Sequence, residues 1–205
     1  MQMDSPELGA IEVHGMTRSS FLLKGALATG AAYGATAVAP FVSTALGAGA
    51  SDLQILNFAL TLEYLETNFY AVKAKEVGLS GEAKALAALF AGQESEHVAA
   101  LAQAIKQNGG TPVKQPKFVF PVTNQASFLR LAYVLENTGV GAYNGAGPSL
   151  SSSALLAAAG SIVQVEARHA AAIGLLTGQS VVPDGPFDQP LSKTQVLAKA
   201  GPLIK

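Results

Sequence analysis

The sequence predicts an all-α fold, a four-helix bundle made of two antiparallel hairpins joined by a long crossover. Three observations lead there. Four stretches carry helical periodicity bounded by start and stop signals. The outer two links between them span a few residues, while the middle one spans about sixteen, Gly110 to Gln125. No alternating apolar stretch longer than Phe118–Val122 competes with the helices.

Each helix has its own signals. Ser51-Asp52-Leu53-Gln54 reads as a capping box opening a first helix, which stops near Gly78. Ser80 can cap a second, with Glu82 favourable in its first turn, and Asn108-Gly109-Gly110 ends it. A third starts near Ser127 and fades around Gly145-Ala146-Gly147-Pro148; a fourth starts among Ser151–Ser153 and ends at Gly178. The expected spans are 52–77, 81–108, 127–145 and 152–177. Extended, the middle link reaches ~50 Å at ~3.3 Å per residue, against ~42 Å for a helix of about 28 residues, so it can run the length of the bundle.

Composition supports one domain with appendages: 205 residues, 49% hydrophobic and 13% charged, enough to bury a sizeable core. A net charge of −1 without a long basic run gives no argument for nucleic acid as a partner. The absence of cysteine excludes disulfides, thiolate metal sites and iron–sulfur clusters, so any metal must be held by carboxylate, imidazole, carbonyl or water.

Three segments are expected: residues 1–50 as an export signal or N-terminal anchor, 51–178 as the bundle, and 179–205 as a Pro-rich tail with a short helix from Lys193 to Ala200. In the first segment, Thr17-Arg18-Ser19-Ser20-Phe21-Leu22-Leu23-Lys24 and the Ala/Gly-rich run after it resemble a twin-arginine signal peptide, with Ser19 where the second arginine would stand. Ala48-Gly49-Ala50 offers a small-residue cleavage site. The expected location is periplasm or cell envelope. The alternatives are membrane anchoring or association through the N-terminus, and a cytoplasmic protein whose first segment packs on the bundle.

The chemistry lies in a repeated spacing. Beyond residue 50 the chain has two histidines, each three residues after a glutamate: Glu94-Ser95-Glu96-His97 and Glu166-Ala167-Arg168-His169. Residues three apart share a helix face, so carboxylate and imidazole can hold one metal together. The other two helices each supply a glutamate among apolar neighbours, Glu63 and Glu136. Glu63 to Glu136 is 73 positions; Glu94 to Glu166 and His97 to His169 are 72. The hairpins thus present matching sets of one lone glutamate followed by Glu-x-x-His, and the predicted metal ligands are Glu63, Glu94, His97, Glu136, Glu166 and His169. Oxygen-rich donors with one imidazole per ion suit two iron ions, with manganese as the alternative and zinc fitting less well. Glu66 competes with Glu63 from one turn away, though the repeat favours Glu63. Glu96 points off the ligand face, Arg168 is as well placed for the surface as for a carboxylate, and His14 lies in the leader. Tyr70 and Tyr143 each follow their lone glutamate by seven residues, placing them to bond a ligand, shuttle an electron (Tyr70 being the candidate catalytic residue) or pack in the core. Gly139, Gly141 and Gly145 are unusual inside a helix and suggest close packing or a kink.

These stretches carry a resemblance. From about Asp52 to Gly178 the chain resembles the ferritin-like superfamily, and within it the bacterial ferritin-like domain family of exported and desiccation-related proteins. Leu62-Glu63 with Tyr70, Glu94-Ser95-Glu96-His97 ending at Asn108-Gly109-Gly110, Leu135-Glu136-Asn137 and Glu166-Ala167-Arg168-His169 resemble its four helices in order. The retained histidine of the fourth is closer to bacterioferritin and rubrerythrin. The resemblance implies a ferritin-like four-helix bundle with Glu94 and Glu166 as bridging and Glu63 and Glu136 as terminal ligands. It implies di-iron oxidase, ferroxidase or peroxide-related redox activity, with metal ions and O2 or peroxide as partners. The alternative is a non-enzymatic envelope stress or desiccation protein whose metal is structural. Oligomers are compatible with the sequence, although the leader and the tail argue against a closed storage cage.

Overall fold

A computed structural model describes residues 51–205. The expected leader and its export pattern lie outside the described residues. The first bundle helix comprises α1 (Asp52–Asn68), a π-helical turn (Phe69–Lys73) and α2 (Ala74–Val77). The others are α3 (Gly81–Gln107), α4 (Gln125–Ala146) and α5 (Ser153–Thr177); a short α6 (Lys193–Ala200) follows in the tail. The first helix pairs with α3, and α4 with α5, giving an all-α ferritin-like bundle of two hairpins.

Local chemistry sets the ends. Ser51 and Gln54 close the expected capping box, and Gly78 and Gly178 take left-handed φ of 71° and 69° at helix C-termini. Three expectations are corrected. The first helix is not one continuous α-helix, because a π turn interrupts it after Asn68. Ser80 makes no side-chain cap; its N–H and hydroxyl donate instead to Gln125 Oε1 at 2.9 and 3.3 Å, tying the start of α3 to that of α4. The third bundle helix begins before Ser127, since Asn124 caps the Ser127 N–H at 2.9 Å while the Ser127 hydroxyl accepts from the Asn124 N–H.

Two apolar clusters sandwich the middle of the bundle. One is rich in aromatic residues and holds Phe69, Tyr70, Phe90, Phe120 and Phe128; the other is mostly aliphatic and holds Ile55, Leu101, Tyr143, Leu155 and Ile162. The crossover packs Val113 on the second cluster and Phe118, Phe120 and Val122 on the first, so it runs from one end of the bundle to the other. The tail closes on it: the Val119 N–H donates to Leu203 O and the Lys205 N–H to Lys117 O, both at 2.9 Å, around an isolated antiparallel bridge Phe118–Ile204.

Candidate metal centre

Four helices bring acidic and imidazole side chains to one level between the apolar clusters. Glu63 comes from α1, Glu94 and His97 from α3, Glu136 from α4, and Glu166 and His169 from α5. The four carboxylates have no accessible surface, and His97 and His169 are 9% and 2% exposed. Burying such groups without partners is costly. They form two overlapping sets whose donor atoms lie within 4.8 Å of one another: Glu63, Glu94, His97 and Glu166; and Glu94, Glu136, Glu166 and His169. Glu94 and Glu166 belong to both.

The atoms are arranged atom for atom. Glu94 turns Oε2 to His97 Nδ1 at 3.1 Å and Oε1 to His169 Nδ1 at 2.9 Å. Glu166 Oε1 lies 3.0 Å from His97 Nδ1, Glu63 Oε2 lies 3.2 Å from the same nitrogen, and Glu136 Oε2 lies 3.3 Å from His169 Nδ1. Each outer glutamate is held by its second oxygen. The Tyr143 hydroxyl donates to Glu63 Oε1, and the Tyr70 hydroxyl to Glu136 Oε1. Each tyrosine therefore bonds the lone glutamate of the other hairpin, not that of its own helix. One carboxylate oxygen is fixed, and the other is left facing the cluster.

Short distances here are not all hydrogen bonds. Glu94 Oε1, Glu136 Oε2, both oxygens of Glu166 and His169 Nδ1 are fully buried with no aligned hydrogen-bond partner. Buried oxygen and nitrogen atoms that converge on one region without satisfying one another are what a cation requires, so the donor set fits metal ions.

The electrostatics express the same crowding. Burial pushes the Glu63 carboxyl up to about 8 and holds Glu66, Glu166 and Glu136 above the carboxylate range, with neighbouring carboxylates adding to it. Burial also raises Glu94, but contacts with His169 and His97 outweigh it and bring the group to about 2. Burial lowers the imidazoles, yet the carboxylates around them win, taking His97 to about 12 and His169 to about 9. Burial keeps both tyrosine hydroxyls protonated, with Glu136 next to Tyr70 and Glu63 next to Tyr143 contributing.

The residues set aside in sequence fall as follows. Glu66 is 3% exposed, a fifth buried carboxylate, but it stands outside both donor sets. Its Oε1 lies 3.4 Å from where a Cβ on Gly139 would sit, and Glu166 Oε2 lies 3.3 Å from the same point, so Gly139 leaves room for two carboxylates. Glu96 and Arg168 are exposed, and Arg168 donates to Gln164 O at 3.1 Å. Sequence reasoning missed Gln93. Its Oε1 lies 2.8 Å from His169 Nε2 and accepts its proton, which holds the ring with Nδ1 directed at the carboxylates. The His169 ring also stacks on Phe90, with centroids 3.9 Å apart. By the 72-residue repeat, Gln93 corresponds to Val165, which has no acceptor to offer, so the two histidines are not held alike.

The family described as "Ferritin-like domain" matches residues 51–179. Among solved structures, a conserved hypothetical protein, rv2844, from Mycobacterium tuberculosis is similar in fold, with a TM-score of 0.55, 20% identity, and coverage of 60% of this chain and 88% of that one. No curated protein sequence matches. The match spans all four bundle helices and all six buried donors, and the chain belongs to the ferritin-like domain family.

Proposed function

We propose that the chain holds a dinuclear metal centre, iron before manganese, and uses it in oxidase, ferroxidase or peroxide-related redox chemistry. The observation that carries this reading is the pair of four-residue donor sets sharing Glu94 and Glu166. Two divalent ions bring +4 against four carboxylates, which resolves the repulsion that otherwise drives protons onto them. When bound, two redox-active ions supply the electrons for reducing dioxygen or peroxide.

The chain's own part is positioning. Glu94 and Glu166 would serve both ions, Glu63 with His97 one of them, and Glu136 with His169 the other. Tyr70 and Tyr143 lock the outer carboxylates so that each offers a single oxygen. The apolar clusters on both sides keep bulk water away, which strengthens every interaction inside. We further propose placement in the cell envelope, from the Arg18–Lys24 pattern and the apolar run after it. Fractionation that found the full-length chain soluble in the cytoplasm would overturn that part.

The test is calorimetric titration of the chelator-stripped protein with Mn²⁺, and with Fe²⁺ under anaerobic conditions. Two ions per chain are expected. Glu63→Gln should remove or weaken one of them, whereas Glu66→Gln should retain both. A stoichiometry near zero sinks the dinuclear reading. Two bound ions without iron-dependent oxygen or peroxide consumption would leave a structural metal and no oxidase.

A further inference from the structure

The two halves of the bundle repeat their ligands but not their packing. Around Tyr70 the core is filled by rings, with Phe69, Phe90 and Phe128 at centroid distances of 5.3, 5.5 and 5.9 Å. Around Tyr143 the packing is aliphatic. Ile55, Leu101, Leu155, Ala159 and Ile162, on three different helices, leave beside it a cavity of about 50 Å³. Tyr143 is 8% exposed, while Ala100 and Ala158 at the margin are exposed, so the cavity leads from the surface between α3 and α5 towards the tyrosine.

Its chemistry is selective. Every lining side chain except Tyr143 is apolar, and the Tyr143 hydroxyl is committed to Glu63. A water molecule needs two to four polar partners and finds none free here. A hydrated ion or hydrogen peroxide meets the same obstacle. The volume is well below the ~300 Å³ at which pockets for organic ligands begin. A small apolar gas satisfies both limits, because it needs no hydrogen bond and gains dispersion contacts on all sides.

We infer that this cavity is the binding and entry site for dioxygen, leading it along Tyr143 to the Glu63 side of the metal centre. The inference rests on the dinuclear reading and deepens it, since this apolar entry admits dioxygen and not peroxide. On the other half a wider cavity of about 510 Å³ reaches Tyr70, but Lys75 and Lys84 line it, so it lacks the uniformly apolar wall of the Tyr143 cavity.

Xenon is the probe, read by ¹²⁹Xe NMR or in a xenon-pressurised crystal of the full chain, with and without metal. Xenon should occupy the cavity in both states. Ala159→Leu should expel it by filling the space, and Ala100→Leu, at the exposed margin where folding is not at risk, should slow its exchange. In both variants the KM for dioxygen during Fe²⁺ oxidation should rise at least about threefold, with iron stoichiometry and the peroxide-driven rate unchanged. An empty cavity in the wild type, or a KM for dioxygen indifferent to both substitutions, overturns the inference while leaving the metal centre standing. Xenon binding in a chain that takes up no iron overturns the dinuclear reading, and the delivery role with it.

Discussion

At the residue scale, the convergence of the six side chains was legible because helical spacing is strict: a glutamate and a histidine three apart share a face, and the pair recurs 72 positions on. Partners that cross between helices leave no such trace. Gln93 lies 76 residues from His169, and nothing in Gln93-Glu94 announces the contact. The tyrosines were legible as candidates, by their seven-residue offset from a glutamate, but not in their crossing over to the opposite hairpin. The asymmetry has a measurable consequence. With Gln93 bonded at Nε2 and Phe90 stacked on its ring, His169 is held in orientation, whereas His97 is more exposed and has Val165 in the corresponding place. The two ions should therefore bind with separable affinities, the His169 side tighter. Gln93→Leu should weaken that tighter site by about 10–100-fold and leave the other nearly unchanged, because it removes the acceptor that orients the histidine. Gln93→Glu should restore much of the loss. Two-site fits of Mn²⁺ titrations check this, and equal weakening of both ions would mean that Gln93 acts on the fold instead.

At the element scale, capping residues and left-handed glycines marked most helix ends to within a residue or two, because those signals are local. What escaped was set by tertiary contacts. The π turn at Phe69–Lys73 inserts one residue into the helical phase, and Phe69 and Tyr70 within it are both buried. The glycines of α4 were visible as anomalies but not as a device. Leu191 of the tail lies against two of them: a Cβ on Gly141 would sit 2.6 Å from Leu191 Cγ, and one on Gly145 only 2.0 Å from the Leu191 carbonyl oxygen. The Leu191 N–H donates to Gly141 O at 2.8 Å, which uses a carbonyl on the helix surface to anchor the strap. Gly145→Ala therefore meets backbone, which cannot rotate away, and should cost about 1–3 kcal/mol as an overpacking substitution despite alanine's better helix propensity. Denaturant unfolding measures the loss. Limited proteolysis should show the segment between Gly178 and Lys193 cut faster, because lifting Leu191 also loosens α6 from α4. A variant as stable and resistant as wild type would show that the strap does not depend on this close approach.

At the scale of the whole molecule, the fold is a compromise between a dry core and a dense set of charges at its centre, and pH exposes the compromise. In the metal-free protein, burial raises Glu63 from 4.5 to about 8, and the surrounding carboxylates raise His169 from 6.5 to about 9. A folded-state pKa above the unfolded one contributes stability that is complete below the unfolded value and disappears as pH climbs through the folded one. Glu63 therefore loses its contribution between 4.5 and about 8, and His169 between 6.5 and about 9, while His97, raised to about 12, keeps most of its own over that range. Glu94 runs the other way: held at about 2, it stabilises above 4.5 and fails as pH falls toward 2. The metal-free chain should thus be most stable on the acid side of neutrality, near about pH 5, and melt progressively lower towards about pH 9. Metal reverses the trend. Ligands must shed protons to bind, so affinity grows with pH and so does the stabilisation that bound ions confer. Melting curves of chelated and Mn²⁺-saturated protein across that range should diverge with rising pH, the gap being smallest in acid. Parallel curves, or a metal-free chain that gains stability up to about pH 9, would show that the buried carboxylates are not charged against one another as this geometry requires.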